Sequence, residues 1–207
     1  MLLGAFNPAI FQPEWFARQN LLRDTEAKAA DIKMIAPQLC HFETENFIVQ
    51  VTQERFVTVS KPNVNSALVR DLVHGAFLIL EHTPATKMGL NYQMHFAMGS
   101  EEAWHLIGDR LAPKEGWRGV LEDRPGLATM TIRAPLVEPP DALYHVRVEP
   151  STQVKHGVFF ETNEEYPGPE GEKLKGLMEI LARRWEEARI YASRVTNHIL
   201  TWAEKRD

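Results

Sequence analysis

Amide, histidine and arginine side chains recur at every second position in three segments of the sequence. In the segments 87–98, 127–134 and 144–149 they alternate with apolar residues, so in a β-strand they would share one face. Hydrogen-bonding groups and two arginines held on rigid strands could bind an anionic or peptide-like ligand. We therefore predict a ligand-binding face formed by Asn91, Gln93, His95, Arg133, His145 and Arg147. The alternative is that this face is the solvated side of an open antiparallel sheet.

Motifs for catalysis and metal binding are absent from the sequence. It contains no Gly-x-Ser-x-Gly elbow, no Walker A loop, no dinucleotide fingerprint and no histidine pair at the spacing of a metalloprotease helix. The single cysteine, Cys40, allows no intrachain disulfide and is interpreted as a small buried thiol. Glu161, Glu164 and Glu165 could pair for acid/base chemistry or bind a divalent cation, but a solvated loop is the simpler interpretation. We therefore assign no catalytic residue, no metal and no cofactor.

The elements that would position the polar face follow from hydrophobic periodicity. The clearest strand covers 87–98, because six apolar residues from Met88 to Met98 lie on one face at a period of two. Further strands are predicted at 47–52, 55–60, 117–122, 127–134, 144–149 and 154–162, arranged as consecutive hairpins. Helices are predicted at 14–23, at 65–82 and after Ser100, whose side chain is a good N-cap. The segment 6–36 is otherwise expected to be irregular.

A helix from about 172 to 204 ends the chain and carries a long apolar stripe. At about 1.5 Å per residue it would measure about 50 Å, whereas a domain of this size is only about 45 Å across. The stripe alternates spacings of four and three, which indicates a coiled-coil seam, but extra apolar residues widen it as in a helix packed on a sheet. We favour packing on the chain's own sheet, with Val195, Ile199 and Trp202 at the overhanging end forming a subunit interface.

The fold class that follows is α+β: one domain over 1–207, with an antiparallel or mixed sheet, helices on one face and a long C-terminal helix. The net charge of −5 argues against nucleic acid as a partner, because phosphate-backbone binding needs a basic surface. The N-terminal apolar stretch has no preceding basic residue and is interrupted by Asn7 and Pro8, unlike a signal peptide. No apolar run approaches the roughly 20 residues of a membrane span. We expect a cytoplasmic protein without membrane contact.

Three segments carry a resemblance to a known family. The run TPATKMGLNY at 83–92, the run FQPEWF at 11–16 and the strand-like segment 157–163 before a long final helix resemble a sporadically distributed family of uncharacterised bacterial proteins. The resemblance covers most of the chain in element order. It implies a bacterial or phage origin and supplies no activity and no catalytic residue.

Two functional hypotheses remain open from the sequence. The first is a non-enzymatic binding or assembly protein that forms a homodimer or higher homo-oligomer and uses its polar face for a protein partner. The second is a small-ligand binder or enzyme with a cavity between the sheet and the terminal helix, by analogy with helix-grip domains.

Overall fold

A computed structural model describes residues 1–122, 125–139, 141–168 and 173–204. Within them the chain forms a nine-stranded antiparallel sheet, five α-helices and two short 3-10 helices at Pro8–Ile10 and Glu115–Trp117. The elements in chain order are β1 (Leu2–Gly4), α1 (Pro13–Arg18), α2 (Asp24–Lys28), β2 (Asp31–Ala36), β3 (Leu39–Glu43), β4 (Phe47–Thr52), β5 (Arg55–Ser60), α3 (Ala67–Ile79), β6 (Ala85–Ala97), α4 (Glu101–Leu111), β7 (Met130–Pro135), β8 (Leu143–Pro150), β9 (Gly157–Pro167) and α5 (Lys173–Glu204).

The strand order in the sheet is β2-β3-β4-β5-β1-β6-β9-β8-β7. This arrangement confirms the predicted α+β class, with an antiparallel sheet and a long C-terminal helix. The predicted helix start at Glu172 lies outside the described residues. No helix in the described ranges is both long and apolar enough to cross a membrane.

The residues group into two compact units. The first contains Met1–Gly89 and Glu165–Glu186, and the second contains Leu90–Glu164 and Glu187–Asp207. Since β6, β9 and α5 have residues in both units, the chain passes between them several times. The prediction of one domain over 1–207 stays a prediction.

An aromatic cluster forms the core of the first unit. The rings of Phe6, Phe11, Phe56 and Phe77 lie 5.1–6.5 Å apart between centroids. Beside this cluster the thiol of Cys40 is buried and donates a hydrogen bond to the carbonyl oxygen of Phe11 over 3.0 Å. Burial raises the pKa of this thiol to about 11. Cys40 is therefore the small buried thiol that the sequence predicts.

The helix α3 is shorter and differently rotated than predicted. The Asn65 side chain accepts a hydrogen bond from the backbone N–H of Ala67, but the N-cap position is Ser66, whose side chain forms no capping hydrogen bond in the described ranges, and the helix ends at Ile79. The apolar spacing of the sequence predicts a core-facing stripe of Leu68, Leu72, Ala76, Ile79 and Leu80. Leu72 and Ala76 are buried as predicted, but Leu68 and Ile79 are exposed and Phe77 is buried in their place. The rotation follows from the aromatic cluster, because Phe77 fits between rings contributed by distant segments.

Three sequence predictions of local structure are wrong. The segment 6–36 contains β2, whose residues are mostly exposed and therefore show no alternation. The helix predicted at 14–23 ends at Arg18, before Asn20 with its φ of 57°, and α2 is a separate helix that the sequence does not predict. The segment 117–122 is not a strand and holds one isolated bridge between Arg118 and Leu121. Only the second of the two predicted C-terminal hairpins therefore forms, and β7 instead pairs with β8.

The core of the second unit lies between the sheet and the helices α4 and α5. The Ser100 side chain caps α4 by accepting a hydrogen bond from the N–H of Ala103 over 3.1 Å. The buried cluster consists of Ile107, Tyr144, Val146, Val148, Val158, Phe160 and Ala203. Three half-buried residues of α5 pack against this cluster: Val195, Ile199 and Leu200. The end of α5 thus packs on strands of its own chain.

Truncation of Leu90 tests the predicted apolar face of β6. Leu90 is only 3% exposed, so we expect Leu90→Ala to lower the free energy of unfolding by about 2–5 kcal/mol through lost burial and a residual cavity. The measurement is a urea titration. The matched control is Leu78→Ala on the exposed side of α3, with a loss under about 1 kcal/mol. Equal losses at the two positions would contradict the assignment of the buried face.

Candidate functional site: a polar sheet face and an apolar groove

The polar face of the second unit is organised around Glu161 of β9. One oxygen of this carboxylate, Oε2, accepts hydrogen bonds from Gln93 Nε2 over 2.7 Å and from Arg147 Nη2 over 3.1 Å. Arg147 also donates through Nη1 to Glu149 Oε1 over 2.8 Å, and its guanidinium lies 5.3 Å from the centre of the Phe159 ring. The central strand β9 therefore joins the polar residues of β6 and β8 into one network.

Histidines occupy two edges of this network. The His95 ring lies 4.8 Å from the Phe159 ring, and its Nδ1 is 2.8 Å from Ser151 Oγ. His145 stands opposite Arg133 in the pairing of β7 with β8. Its Nε2 atom is buried and has no hydrogen-bond partner among the described residues.

The six predicted site residues lie on this one face. Asn91, Gln93 and His95 alternate along β6, while Arg133, His145 and Arg147 occupy matching positions on β7 and β8. The sequence reasoning missed Phe159, and it treated Glu161 as part of an acidic loop cluster. The signal was present, because Phe159, Glu161 and Asn163 alternate with the buried Phe160 and Thr162 along the strand.

The charges on the polar face balance one another. Arg147 is paired with both Glu149 and Glu161, and Glu149 also accepts a hydrogen bond from Thr129 Oγ1 over 3.1 Å. An anionic ligand at Arg147 would have to displace a bound carboxylate, whereas Arg133 on the same face is exposed and forms no ion pair within the described residues. Within the described residues, no group of three or more histidine, cysteine or acidic side chains could hold a metal ion.

An apolar groove of about 380 Å³ opens on the opposite face of the sheet in the same unit. It is lined by Leu111, Met130, Ile132, Val146, Val195, His198, Ile199 and Trp202. Ile132 is 54% exposed and Trp202 is 47% exposed, although both are large apolar side chains. Arg110 Nη1 donates a hydrogen bond to the carbonyl oxygen of Trp202 over 2.6 Å and so fixes the end of α5 beside α4.

The three predicted interface residues Val195, Ile199 and Trp202 all line this groove. Val195 and Ile199 are half-buried against the core of the second unit, and Trp202 is 47% exposed beside the buried Ala203, so the helix end does not overhang and the interface stays a prediction. The exposed apolar side chains at the groove are Trp202 at the helix end and Ile132 on β7.

A group of buried hydroxyls lies between the strands and α5 in the second unit. Tyr144, Thr162 and Thr196 are buried, and none of their hydroxyl oxygens has a partner with hydrogen-bond geometry in the described ranges. The Tyr144 ring packs edge-on against Tyr191 at 4.7 Å. Burial raises the pKa of Tyr144 to about 12, and the neighbouring Thr162 hydroxyl opposes part of that rise.

Removal of Arg147 tests the balance of charge on the polar face. We expect Arg147→Ala to lower the free energy of unfolding by about 1 kcal/mol in low salt, because two carboxylates lose their shared counter-charge. The loss should shrink in high salt, which screens the remaining carboxylates. Arg133→Ala is the matched control, since Arg133 is exposed and forms no ion pair within the described residues, and it should change stability by less than about 0.5 kcal/mol. A salt-independent loss, or an equal loss in the control, would contradict the network.

Alkaline pH tests the burial of Tyr144. Its pKa is about 12 in the folded chain against an ordinary value of 10.0, so folding favours the neutral phenol. The resulting stabilisation is present below pH 10 and is lost as the pH rises towards 12. Urea titrations at successive pH values should therefore show a steeper loss of stability for the wild type than for Tyr144→Phe. Parallel losses would show that the phenol is not protected from ionisation.

Comparisons with models of protein families, with curated proteins and with solved structures found no match to the chain. The resemblance to a sporadically distributed bacterial family accordingly stays a prediction, and the function is argued from the two surfaces of the second unit.

Proposed function

We propose that the chain is a non-enzymatic assembly protein that forms a homodimer through the apolar groove at the end of α5. The observation that carries this proposal is the joint exposure of Ile132 and Trp202 in a groove whose other lining residues are apolar except for His198. Large exposed apolar side chains rimmed by polar residues are typical of interaction sites. Tryptophan in particular often dominates the binding energy of an interface.

A second copy of the chain suits this groove for two reasons. The only titratable side chain among the lining residues is His198, so covering the groove buries no obligatory charge. A two-fold interface is the commonest closed form of self-association, and it would supply a second Trp202 and a second Ile132 to the same patch. Each copy would then cover apolar surface that the other leaves exposed.

The polar face has a separate role in the proposal. It lies on the side of the sheet away from the groove, and it stays accessible when the groove is covered. Its amide, histidine and arginine groups support a polar, peptide-like protein partner, and an anion at Arg147 would compete with two carboxylate partners.

The size of the groove supports a second candidate function. Its volume of about 380 Å³ lies near the lower end of the roughly 300–1,000 Å³ typical of ligand pockets. An apolar small molecule held between the strands and the end of α5 would correspond to the helix-grip analogy. Native mass spectrometry separates the candidates, because one spectrum reports both the number of chains and any retained ligand.

Introducing a charge into the groove tests self-association. We expect the wild type to sediment at twice its chain mass of 23.7 kDa at tens of micromolar, and Trp202→Glu to sediment as a monomer because its carboxylate would be buried without a partner. Ile190→Glu is the matched control, because Ile190 is 58% exposed on the same helix and lies outside the groove; it should remain a dimer. A wild type that is monomeric would overturn the proposal, and a retained apolar ligand would favour the second candidate.

A further inference from the structure

We propose that two copies of the chain pair through their β7 strands in antiparallel orientation, with a two-fold axis at Ile132. This inference rests on the proposed self-association and goes further by naming the strand, the register and the residues that meet. It makes the dimer one continuous sheet rather than a contact between helix ends alone.

The strand β7 offers an unpaired edge. It is last in the strand order, and its pairing with β8 runs without a shift from Met130 opposite Val148 to Pro135 opposite Leu143. No other strand pairs with it among the described residues, and its side chains from Thr131 to Pro135 are exposed. The backbone N–H and C=O groups along such an edge can pair with another strand.

The apolar side chains of β7 lie beside buried residues of β8 but are not themselves buried. Ile132 stands opposite the buried Val146, yet is more than half exposed. On the same side, Met130 and Ala134 stand opposite the buried Val148 and Tyr144. A strand added at this edge would carry its own alternating side chains onto the same surface, because residues that pair directly point to the same face.

The opposite end of the strand order also exposes large apolar side chains, Ile32, Met34 and Ile35, but its edge is irregular and charged. The pairing of β2 with β3 shifts between Ile32 and Met34, and Lys33 at the shift forms ion pairs with Asp31 and Glu43. An irregular, charged edge strand resists pairing with another chain. The regular strand β7 carries one charge, Arg133, and that residue lies on the polar face. We therefore place the contact at β7 in both copies.

The alternation of β7 determines the register. Directly paired residues in antiparallel strands point to the same face of the sheet. If the two-fold axis passed between two residues, apolar residues of one copy would pair with polar residues of the other, so the axis must pass through a residue. An axis at Arg133 brings two guanidinium groups face to face, which is destabilising. An axis at Thr131 pairs only the first half of the strand. With the axis at Ile132, the paired segment runs from Met130 to Ala134, Arg133 stands opposite Thr131 of the second copy, and no like charges meet.

This register also explains the position of the groove. Met130 and Ile132 form one wall of the groove and belong to the paired segment of β7. Pairing about Ile132 brings the grooves of the two copies to the same side of the joined sheet, on either side of the axis. The two exposed apolar patches become one, and the contact then includes backbone hydrogen bonds as well as apolar burial.

Single cysteines at the edge test the strand and the register together. Cys40 is buried, so it contributes little background under mild oxidation. Directly paired residues in an antiparallel sheet have Cα atoms about 4.5–5.5 Å apart, which suits a disulfide, whereas diagonal neighbours are too distant. We expect Ile132→Cys to form a disulfide-linked dimer at least about ten-fold faster than Thr131→Cys or Arg133→Cys alone. An equimolar mixture of Thr131→Cys and Arg133→Cys chains should cross-link where neither does by itself.

Val137→Cys serves as the matched control, because Val137 is 96% exposed and lies just beyond β7, so its cross-linking reports chance collisions. Sedimentation of the same variants under reducing conditions separates the two proposals. A dimer in which Arg133→Cys links fastest, or in which no β7 position exceeds Val137→Cys, would overturn the β7 pairing and leave self-association standing. A monomer under reducing conditions for the wild type would overturn the proposed function itself.

Discussion

Covering the apolar side of the sheet is the requirement on which the rest of the structure depends. The helix α5 meets it in both units, with Leu177 and Leu181 buried in the first and Ala188 and Ala192 buried in the second. The small alanine side chains let the helix backbone approach the strands closely, while the leucines fill wider space. Burial of large apolar side chains contributes about 1.5–3 kcal/mol each, far more than the surface ion pairs on the polar side.

The same requirement explains where apolar surface is left over. The last described buried residue of α5 is Ala203, and β7 is the last strand of the sheet. Within the described residues the end of α5 and the strand β7 therefore meet at one groove, where the side chains of Ile132 and Trp202 are 54% and 47% exposed. In an ordinary surface such side chains would be isolated, but here they share a groove with half-buried neighbours. The groove lies at the edge of the core of the second unit, between β7 and the end of α5.

The parts of the fold that the sequence predicts are those decided by nearby residues. The hairpin β4–β5 has the predicted bounds, β6 shows the predicted alternation, and Ser100 caps α4 as expected. The strands β1 and β2 escape prediction, since β1 has only three residues and β2 is exposed, so neither carries a periodic apolar pattern. Their place in the sheet depends on pairing with distant segments, such as Leu2 with Met88. Local periodicity carries no information about such pairings.

In the candidate site, too, the sequence predicts what nearby residues decide and misses contacts between distant segments. Alternation along β6, β7 and β8 places the six predicted residues on one face, but it does not reveal that Glu161 of β9 binds Gln93 and Arg147. That contact depends on the order of strands, because β9 lies between β6 and β8 although it follows both in sequence. The contact also changes the chemistry of the face, because the charge of Arg147 is balanced by Glu149 and Glu161 in the fold.

An anion approaching Arg147 would compete with two carboxylates whose ion pairs are each worth up to about 1 kcal/mol, and it would gain little in exchange. Covering Ile132 and Trp202, which are 54% and 47% exposed, removes large apolar surface from water. The balance of these terms favours association through the groove over anion binding at Arg147.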